Sequence, residues 1–174
     1  VRAAIDSGIT FLDTAQAYRT SESTLGRALR DGYRDRCLLA TKVGHTDYSP
    51  KAVREAMENS LRALGVDHVD LYQVHSWPND EYPIDATMEA MARLQEEGKT
   101  RFLGVSNFNA EQMEIAYNIA PFHSSQPRYN MYDREIEAED LLYCLEKGIG
   151  NLPHSPLGKG LLTGRYSAGH VFPK

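Results

Sequence analysis

The chain has 174 residues, of which 41% are hydrophobic and 25% charged, and this composition is typical of a folded globular domain. Its formal net charge of −5 offers no basic surface, so we expect neither nucleic acid nor a membrane as a partner. The two cysteines, Cys37 and Cys144, lie in apolar patterns and predict buried thiols in a reducing, cytoplasmic setting. We expect a single domain over residues 1–174.

Short apolar runs alternate with helical patterns along the chain, and each run ends at a polar residue. In chain order, the polar residues that end or directly follow the six runs are Asp13, Lys42, His75, Ser106, Gln126 and His154. Most of the intervals between them are close to the roughly 30 residues of one strand with its crossover helix. The pattern therefore predicts repeated strand–helix units.

The helical patterns between the runs have recognisable ends. Ser49 before Pro50 is a typical N-terminal cap, and Asn109 with Gln112 three residues later has the spacing of a capping box. The predicted helices are Val1 to Asp6, a short helix around Leu25, Ala28 and Leu29, Ser49 to Gly65, Asp85 to Gly98, one starting at Asn109, and one defined by Leu141, Leu142 and Leu145 that ends at Gly148.

Strands that alternate with helices indicate a parallel α/β sheet with right-handed crossovers. In a barrel of such units, the carboxyl ends of the strands converge on one face, and that face carries the chemistry. A complete (β/α)₈ barrel needs about 250 residues and eight strands, whereas six runs are present. We therefore predict the α/β fold class, as a partial (β/α)₈ TIM barrel of about six parallel strands.

Several stretches together resemble the aldo-keto reductase family, and they occur in the order of that family. They are Gly8–Ala15 with Tyr18, Thr41–Gly44, Asp70–His75, Gly98–Arg101 with Gly104–Phe108, Tyr129–Asn130, and Ser155–Gly164. The resemblance implies a barrel that binds a nicotinamide cofactor without a Rossmann domain. It also implies that the chain runs from the end of the first barrel helix to just past the seventh strand. For a piece of that extent we expect weak or no activity on its own.

The resemblance implies a catalytic set of Asp13, Tyr18, Lys42 and His75. Carbonyl reduction needs a proton donor, and Tyr18 would be that general acid, although a phenol has an ordinary pKa of about 10. We expect the Lys42 ammonium to lower the pKa of Tyr18, and Asp13 to keep Lys42 charged. His75 would donate a second hydrogen bond to the carbonyl oxygen.

The resemblance also implies NADP(H) as cofactor, with NAD(H) not excluded. The corresponding binding residues are Ser106, Asn107 and Gln126 at the nicotinamide carboxamide, His154 and Ser155 beside the ring, and Leu157, Gly158 and Arg165 in a loop near the pyrophosphate. Three positions depart from the family pattern. His154 replaces a large aromatic residue, Asn151 stands at an apolar strand position, and Pro127 removes a strand donor after Gln126. Trp77 and Tyr48 lie in loops that could line the substrate pocket.

These residues predict reduction of a small-molecule aldehyde or ketone to an alcohol, with Tyr18 as general acid. An alternative is a non-catalytic nicotinamide-binding regulatory subunit, similar to potassium-channel beta subunits, although those carry Asn in place of the histidine found here as His75. A third possibility is a Schiff-base aldolase with Lys42 as nucleophile. A metal-dependent hydrolase is the least favoured, because no paired histidine motif follows a strand.

Overall fold

Among the residues that the structure describes, a six-stranded parallel sheet forms the centre of the fold. The computed structural model describes residues 1–44, 47–78, 81–167 and 169–172. The strands are β1 (Phe11–Asp13), β2 (Leu38–Lys42), β3 (Val69–Val74), β4 (Thr100–Ser106), β5 (Ser124–Gln126) and β6 (Gly150–Asn151). Each strand pairs in parallel with its neighbour in sequence, so the sheet order is β1 to β6. This curled wall confirms the predicted partial barrel of about six strands.

In the part of the chain that the structure describes, six α-helices accompany the strands, as the sequence pattern predicts. They are α1 (Arg2–Asp6), α2 (Ser21–Ala28), α3 (Pro50–Leu64), α4 (Ile84–Glu96), α5 (Ala110–Ile119) and α6 (Asp140–Lys147). Short 3₁₀ turns occupy Arg34–Arg36, Glu135–Glu137 and Gly158–Thr163. No helix among the described residues is both long and apolar enough to cross a membrane.

The ends of the longer helices follow the predicted local chemistry. At the start of α3, the Ser49 side chain accepts a hydrogen bond from the Ala52 N–H at 3.3 Å, and Gly65 ends the helix in the left-handed conformation. The capping box at the start of α5 is formed in both directions between Asn109 and Gln112. These ends set the length of each crossover and thereby the position at which the next strand begins.

The apolar core lies between the strands and the surrounding helices. Because successive side chains of a strand point to opposite faces, each strand sends alternate residues outward to the helices. The buried cluster includes Leu39, Tyr72, Val74, Leu103 and Val105 from the strands and Val53, Met57, Met88, Met91 and Leu94 from α3 and α4. The remaining strand side chains point inward, and near the carboxyl ends these are polar.

The buried face of α6 differs from the leucine pattern. Its predicted markers Leu142 and Leu145 are 61% and 79% exposed, whereas Cys144 is fully buried. The helix precedes β6, the last strand of the described sheet, and no further α-helix follows it among the described residues to cover its exposed leucines. Both Cys37 and Cys144 are free, buried thiols, as predicted.

Two of the departures from the family pattern are accommodated locally. Pro127 directly follows the last residue of β5, and its carbonyl accepts a hydrogen bond from the His154 N–H at 2.9 Å. Asn151 is the last residue of β6 and is only partly buried. Its side chain lies close enough to the Cys144 thiol to oppose the rise in the pKa of that thiol that burial causes.

Candidate active site

The carboxyl ends of the strands bring the predicted polar residues to one end of the sheet. Asp13, Lys42 and Gln126 are the last residues of β1, β2 and β5. Ser106 ends β4 in the same way, and His75 directly follows β3. Because the strands are parallel, these carboxyl ends lie at the same end of the sheet, so residues far apart in sequence come close together there.

A buried ion pair forms the centre of this end. The Lys42 Nζ lies 2.6 Å from Asp13 Oδ2 and also donates to the Thr14 carbonyl at 2.8 Å. Burial lowers the pKa of the fully enclosed Lys42, and the Asp13 carboxylate opposes that shift. The second oxygen of Asp13, Oδ1, accepts hydrogen bonds from the side-chain amides of Gln73 and Gln126, both at 3.2 Å. Asp13 therefore accepts from three side chains at once.

Tyr18 lies beside this pair and is 46% exposed. The Lys42 Nζ is 5.2 Å from the centroid of its ring, and the His75 ring meets it edge-on at 5.7 Å between centroids. Burial and the Asp13 carboxylate raise the pKa of Tyr18 above its ordinary value. The expected lowering of that pKa by Lys42 is therefore wrong in this structure. The physical reason is that burial disfavours the charged phenolate, and that the Asp13 carboxylate paired with the ammonium acts on the phenol in the same direction as burial.

A cavity of about 370 Å³ opens between Tyr18 and the ends of the later strands. Its lining residues are Tyr18, His75, Ser106, Asn107, Gln126, His154 and Ser155. The structure thus brings together two of the predicted catalytic residues and five of the predicted cofactor-binding residues. None of these side chains is a carboxylate, a lysine or an arginine, so the lining is polar without a fixed charge.

Hydrogen bonds hold the inner wall of the cavity in one arrangement. Asn107 donates through Nδ2 to the His75 carbonyl at 3.1 Å, and Ser106 Oγ donates to the Gln126 carbonyl at 2.9 Å. Since the Asn107 Oδ1 can only accept, the His154 Nε2 at 2.8 Å must carry the proton of that bond. Burial, followed by the nearby cations Arg128 and Lys42, lowers the pKa of His154, which favours a neutral ring at pH 7.

The predicted pyrophosphate loop lies beyond this cavity. Leu157 is largely exposed, and the guanidinium of Arg165 is 5.9 Å from the Tyr166 ring centroid. The Gly158 N–H donates to the Ser155 carbonyl at 2.9 Å, so it is engaged within its own turn. Gly158 lines a second cavity of about 420 Å³. The contribution of these loop residues to cofactor binding stays a prediction.

The two aromatic residues predicted for the substrate pocket do not line the cavity in the described part of the chain. Tyr48 belongs to the core, and its hydroxyl hydrogen-bonds Ser76 Oγ at 2.9 Å. Trp77 is partly buried and packs edge-on against Phe108 with 5.0 Å between ring centroids. A role for either side chain in substrate contact stays a prediction.

Two residues near the site lie in stretches that carry the family resemblance but were given no role from the sequence. Gln73 is fully buried on β3, two residues before His75, and contacts Asp13 as described above. Asn130 donates to the Ser155 carbonyl at 3.1 Å and accepts from the Tyr132 N–H, so it shapes the turn beside the cavity. The two-residue period of a strand places Gln73 on the same face as His75, and that signal could have identified it.

Fold and site together define a barrel protein whose inward-facing ionic and amide side chains meet at the carboxyl ends of parallel strands. Among the described residues, no group of three or more His, Cys, Asp or Glu side chains is arranged to hold a metal ion. The chain belongs to the aldo/keto reductase family, whose model matches residues 1–172.

Known members of the family agree with this assignment. The aldo-keto reductase YhdN of Bacillus subtilis is 42% identical over 99% of this chain and 55% of its own length. The glycerol dehydrogenase AKR11B4 from Gluconobacter oxydans superposes with a TM-score of 0.93 at 38% identity, over 99% of this chain and 57% of that protein. An aldo-keto reductase from Klebsiella pneumoniae in complex with NADPH has a TM-score of 0.86 at 37% identity, over 97% and 59%. The chain thus spans little more than half the length of these relatives.

Proposed function

We propose that the full-length protein is an oxidoreductase that uses NADP(H) to reduce small aldehydes or ketones to alcohols. The observation that carries the proposal is the cluster of side chains formed by Asp13, Lys42, Tyr18 and His75. They lie together near the carboxyl ends of the strands, beside a polar cavity. Family membership and the Klebsiella pneumoniae relative with bound NADPH support the choice of reaction class and cofactor.

Tyr18 is the proton donor in this proposal. Because its pKa lies above the ordinary value, the phenol is protonated at neutral pH, as a general acid must be. His75 lines the same cavity, so a substrate oxygen there can approach both rings. Each well-placed donor to a developing oxyanion contributes about 3 kcal/mol to lowering the barrier.

The cavity lining fits the nicotinamide end of the cofactor, which would supply the hydride when bound. The ring carries a neutral carboxamide, and the lining is polar without a fixed charge. Gln126 uses its Nε2 to bind Asp13, which leaves its amide oxygen to accept from a carboxamide N–H. Asn107 Oδ1 has a second lone pair besides the one that accepts from His154. Ser106, Asn107 and Gln126 are therefore the side chains that would orient the carboxamide.

The alternatives are less well supported by the same geometry. A Schiff-base aldolase needs an accessible amine, but the Lys42 Nζ is enclosed and bound to Asp13 and Thr14. A non-catalytic regulatory subunit would not need His75 and Tyr18 to face one cavity.

The proposal is tested by substrate-dependent oxidation of NADPH, followed by absorbance, with a panel of small aldehydes and ketones and with NADH in parallel. In the Tyr18→Phe variant of the full-length protein we expect kcat to fall about 10²-fold or more, because the general acid is lost. The affinity for NADPH should change little. Tyr33→Phe is the matched control. The Tyr33 hydroxyl donates to Asp6 and does not line the cavity, so its removal should not affect turnover. Equal turnover in wild type and Tyr18→Phe would refute Tyr18 as the donor.

A further inference from the structure

Three polar side chains from alternate strands form one layer inside the barrel wall. Asp13, Gln73 and Gln126 come from β1, β3 and β5. The side chains of alternate strands share a layer in such barrels, and bulky apolar residues usually fill it. Here the layer holds one carboxylate and two amides, joined by two hydrogen bonds of 3.2 Å to Asp13 Oδ1.

Gln73 is the member of this layer without a direct place at the cavity. It is fully buried, whereas Gln126 lines the cavity wall. Its amide orientation is defined, because the Asp13 carboxylate can only accept and so must face the Nε2. The Gln73 Oε1 has no hydrogen-bond partner among the described residues. A buried amide oxygen without a hydrogen-bond partner lowers the stability of the fold. An apolar residue at this position would avoid that loss of stability.

Gly104 on the neighbouring strand gives Gln73 the space that it needs. Gly104 is the register partner of Gln73 in the pairing of β3 with β4. A Cβ at Gly104 would lie 3.0 Å from the Gln73 Cγ and would overlap the Ser124 Oγ. The wall is therefore built to admit a long polar side chain at position 73.

We propose that Gln73 is a positioning residue, whose amide holds the Asp13 carboxylate turned so that its other oxygen faces Lys42. This inference rests on the proposed function, since the Asp13–Lys42 pair matters for catalysis only if the Lys42 ammonium, 5.2 Å from the Tyr18 ring centroid, favours the phenolate that forms when Tyr18 gives up its proton. Asp13 ends a strand of three residues that pairs only with β2 in the described sheet. The amide of Gln73 thus restrains a carboxylate that its own short strand holds weakly.

The pKa of Lys42 depends on how firmly Gln73 holds the Asp13 carboxylate. The titratable groups that face Lys42 are Asp13 from β1, Tyr18 from the loop after β1, and His154 from the segment after β6. Burial disfavours the Lys42 ammonium and Asp13 restores it. In Gln73→Leu, Gln126 is the one amide among the described residues that still donates to Asp13 Oδ1, so the carboxylate is held less firmly in its orientation toward Lys42. The restoring effect then weakens, so the pKa of Lys42 should fall.

The experiment compares Gln73→Leu, Gln73→Glu and wild type in the full-length protein. The Lys42 amine is titrated by NMR with ¹³Cε-labelled lysine, and the Lys42→Arg variant assigns its signal. In Gln73→Leu we expect the pKa of Lys42 to fall, the alkaline limb of the kcat profile to move to lower pH, and kcat to drop about tenfold or more, as when a hydrogen bond to a charged group is removed. KM for NADPH should stay near the wild-type value, because Gln73 does not line the cavity.

Gln73→Glu provides the conservative rescue. Two neighbouring carboxyl groups share a proton at acidic pH, and the protonated one can donate to the other. Activity in Gln73→Glu should therefore approach the wild-type level on the acid side and decline as the pH rises. If Gln73→Leu does not fold, the pH dependence of activity in Gln73→Glu tests the positioning role of Gln73 in its place.

Tyr72→Phe is the matched control. Tyr72 is the preceding residue of β3, is equally buried and points to the opposite face, and its hydroxyl has no partner among the described residues. We expect no change in the Lys42 titration in this variant. The inference is overturned if Lys42 titrates alike in wild type and Gln73→Leu, or if Tyr72→Phe causes the same shift. Absence of turnover in the wild type would instead refute the proposed function, because the NMR titration needs no substrate.

Discussion

Replacing Asp13 with Asn in the full-length protein tests the central ion pair. The substitution keeps the size of the side chain and one oxygen near Lys42, but it removes the negative charge 2.6 Å from the ammonium. Lys42 is then a fully buried cation whose remaining charged neighbours do not compensate it. We expect lower stability and, at neutral pH, lower activity.

The magnitude follows from the geometry. Two unit charges at this separation attract by about 6 kcal/mol at an effective dielectric constant of about 20. Breaking a buried pair by removal of one partner usually costs about 3–5 kcal/mol. The Asp13 side chain is 29% exposed, so solvent screens part of the interaction and the lower end of that range applies. We therefore expect a loss of about 3 kcal/mol in the free energy of unfolding at pH 7.

The loss should depend on pH in a defined direction. The pKa of Lys42 is already lower in the folded state than in the unfolded chain, and loss of Asp13 lowers the folded-state pKa further. The unfolded state then binds the proton more tightly, so the stability of the variant rises with pH. The gap between variant and wild type should be widest near neutrality and should close as the pH approaches about 10.4, the ordinary value for lysine. Urea unfolding at several pH values measures this gap.

Asp6→Asn is the control, because it removes an ion pair of similar length that lies at the surface. Asp6 and Arg36 are 2.8 Å apart and both about half exposed. This change should cost less than about 1 kcal/mol at any of these pH values. A gap for Asp13→Asn that stays constant or widens toward alkaline pH would refute the argument that the charge of Lys42 depends on Asp13.

Two further predictions concern stability. Burial alone would raise the pKa of Asp70, but a backbone N–H and the guanidinium groups of Arg34 and Arg101 lower it overall. Asp70→Asn should therefore cost about 3 kcal/mol at neutral pH. In acid titrations the deficit should begin to shrink as the pH falls below about 3.9, the ordinary value for Asp, and should vanish only below the lowered pKa of the folded wild-type carboxylate. Gly104→Ala should lower the free energy of unfolding by about 1–3 kcal/mol, because the added methyl group overlaps Ser124 Oγ. A neutral effect of this alanine in urea unfolding would contradict the tight packing of the inner layer.

Local signals in the sequence were sufficient for most of the helix ends. The start of α3 at Ser49 and Pro50 and its end at Gly65 depend on a capping hydroxyl and a left-handed residue. Both act within one helical turn and can be recognised without the rest of the fold. The leucines of α6 were less informative, because exposure depends on which elements flank a helix rather than on the helix itself.

The candidate site was predictable to the extent that strand ends were predictable. Asp13 and Lys42 were expected to meet, and they form an ion pair although 28 residues separate them. The direction of the pKa of Tyr18 was not predictable, because it depends on the balance between burial of the phenol, which is the largest cause of the rise, and the charges around it. That balance follows from positions in space and from burial.

By itself, the sequence determined the alternation of strands and helices and the polar residues at the strand ends, because periodicity and capping are local properties of the chain. Only the tertiary structure decided that Gln73 and Gln126 bind one oxygen of Asp13, that Lys42 is fully enclosed, and that Tyr48 belongs to the core. The physical reason is that hydrogen bonds and desolvation act over a few ångströms, and the curvature of the sheet sets which residues come within that distance.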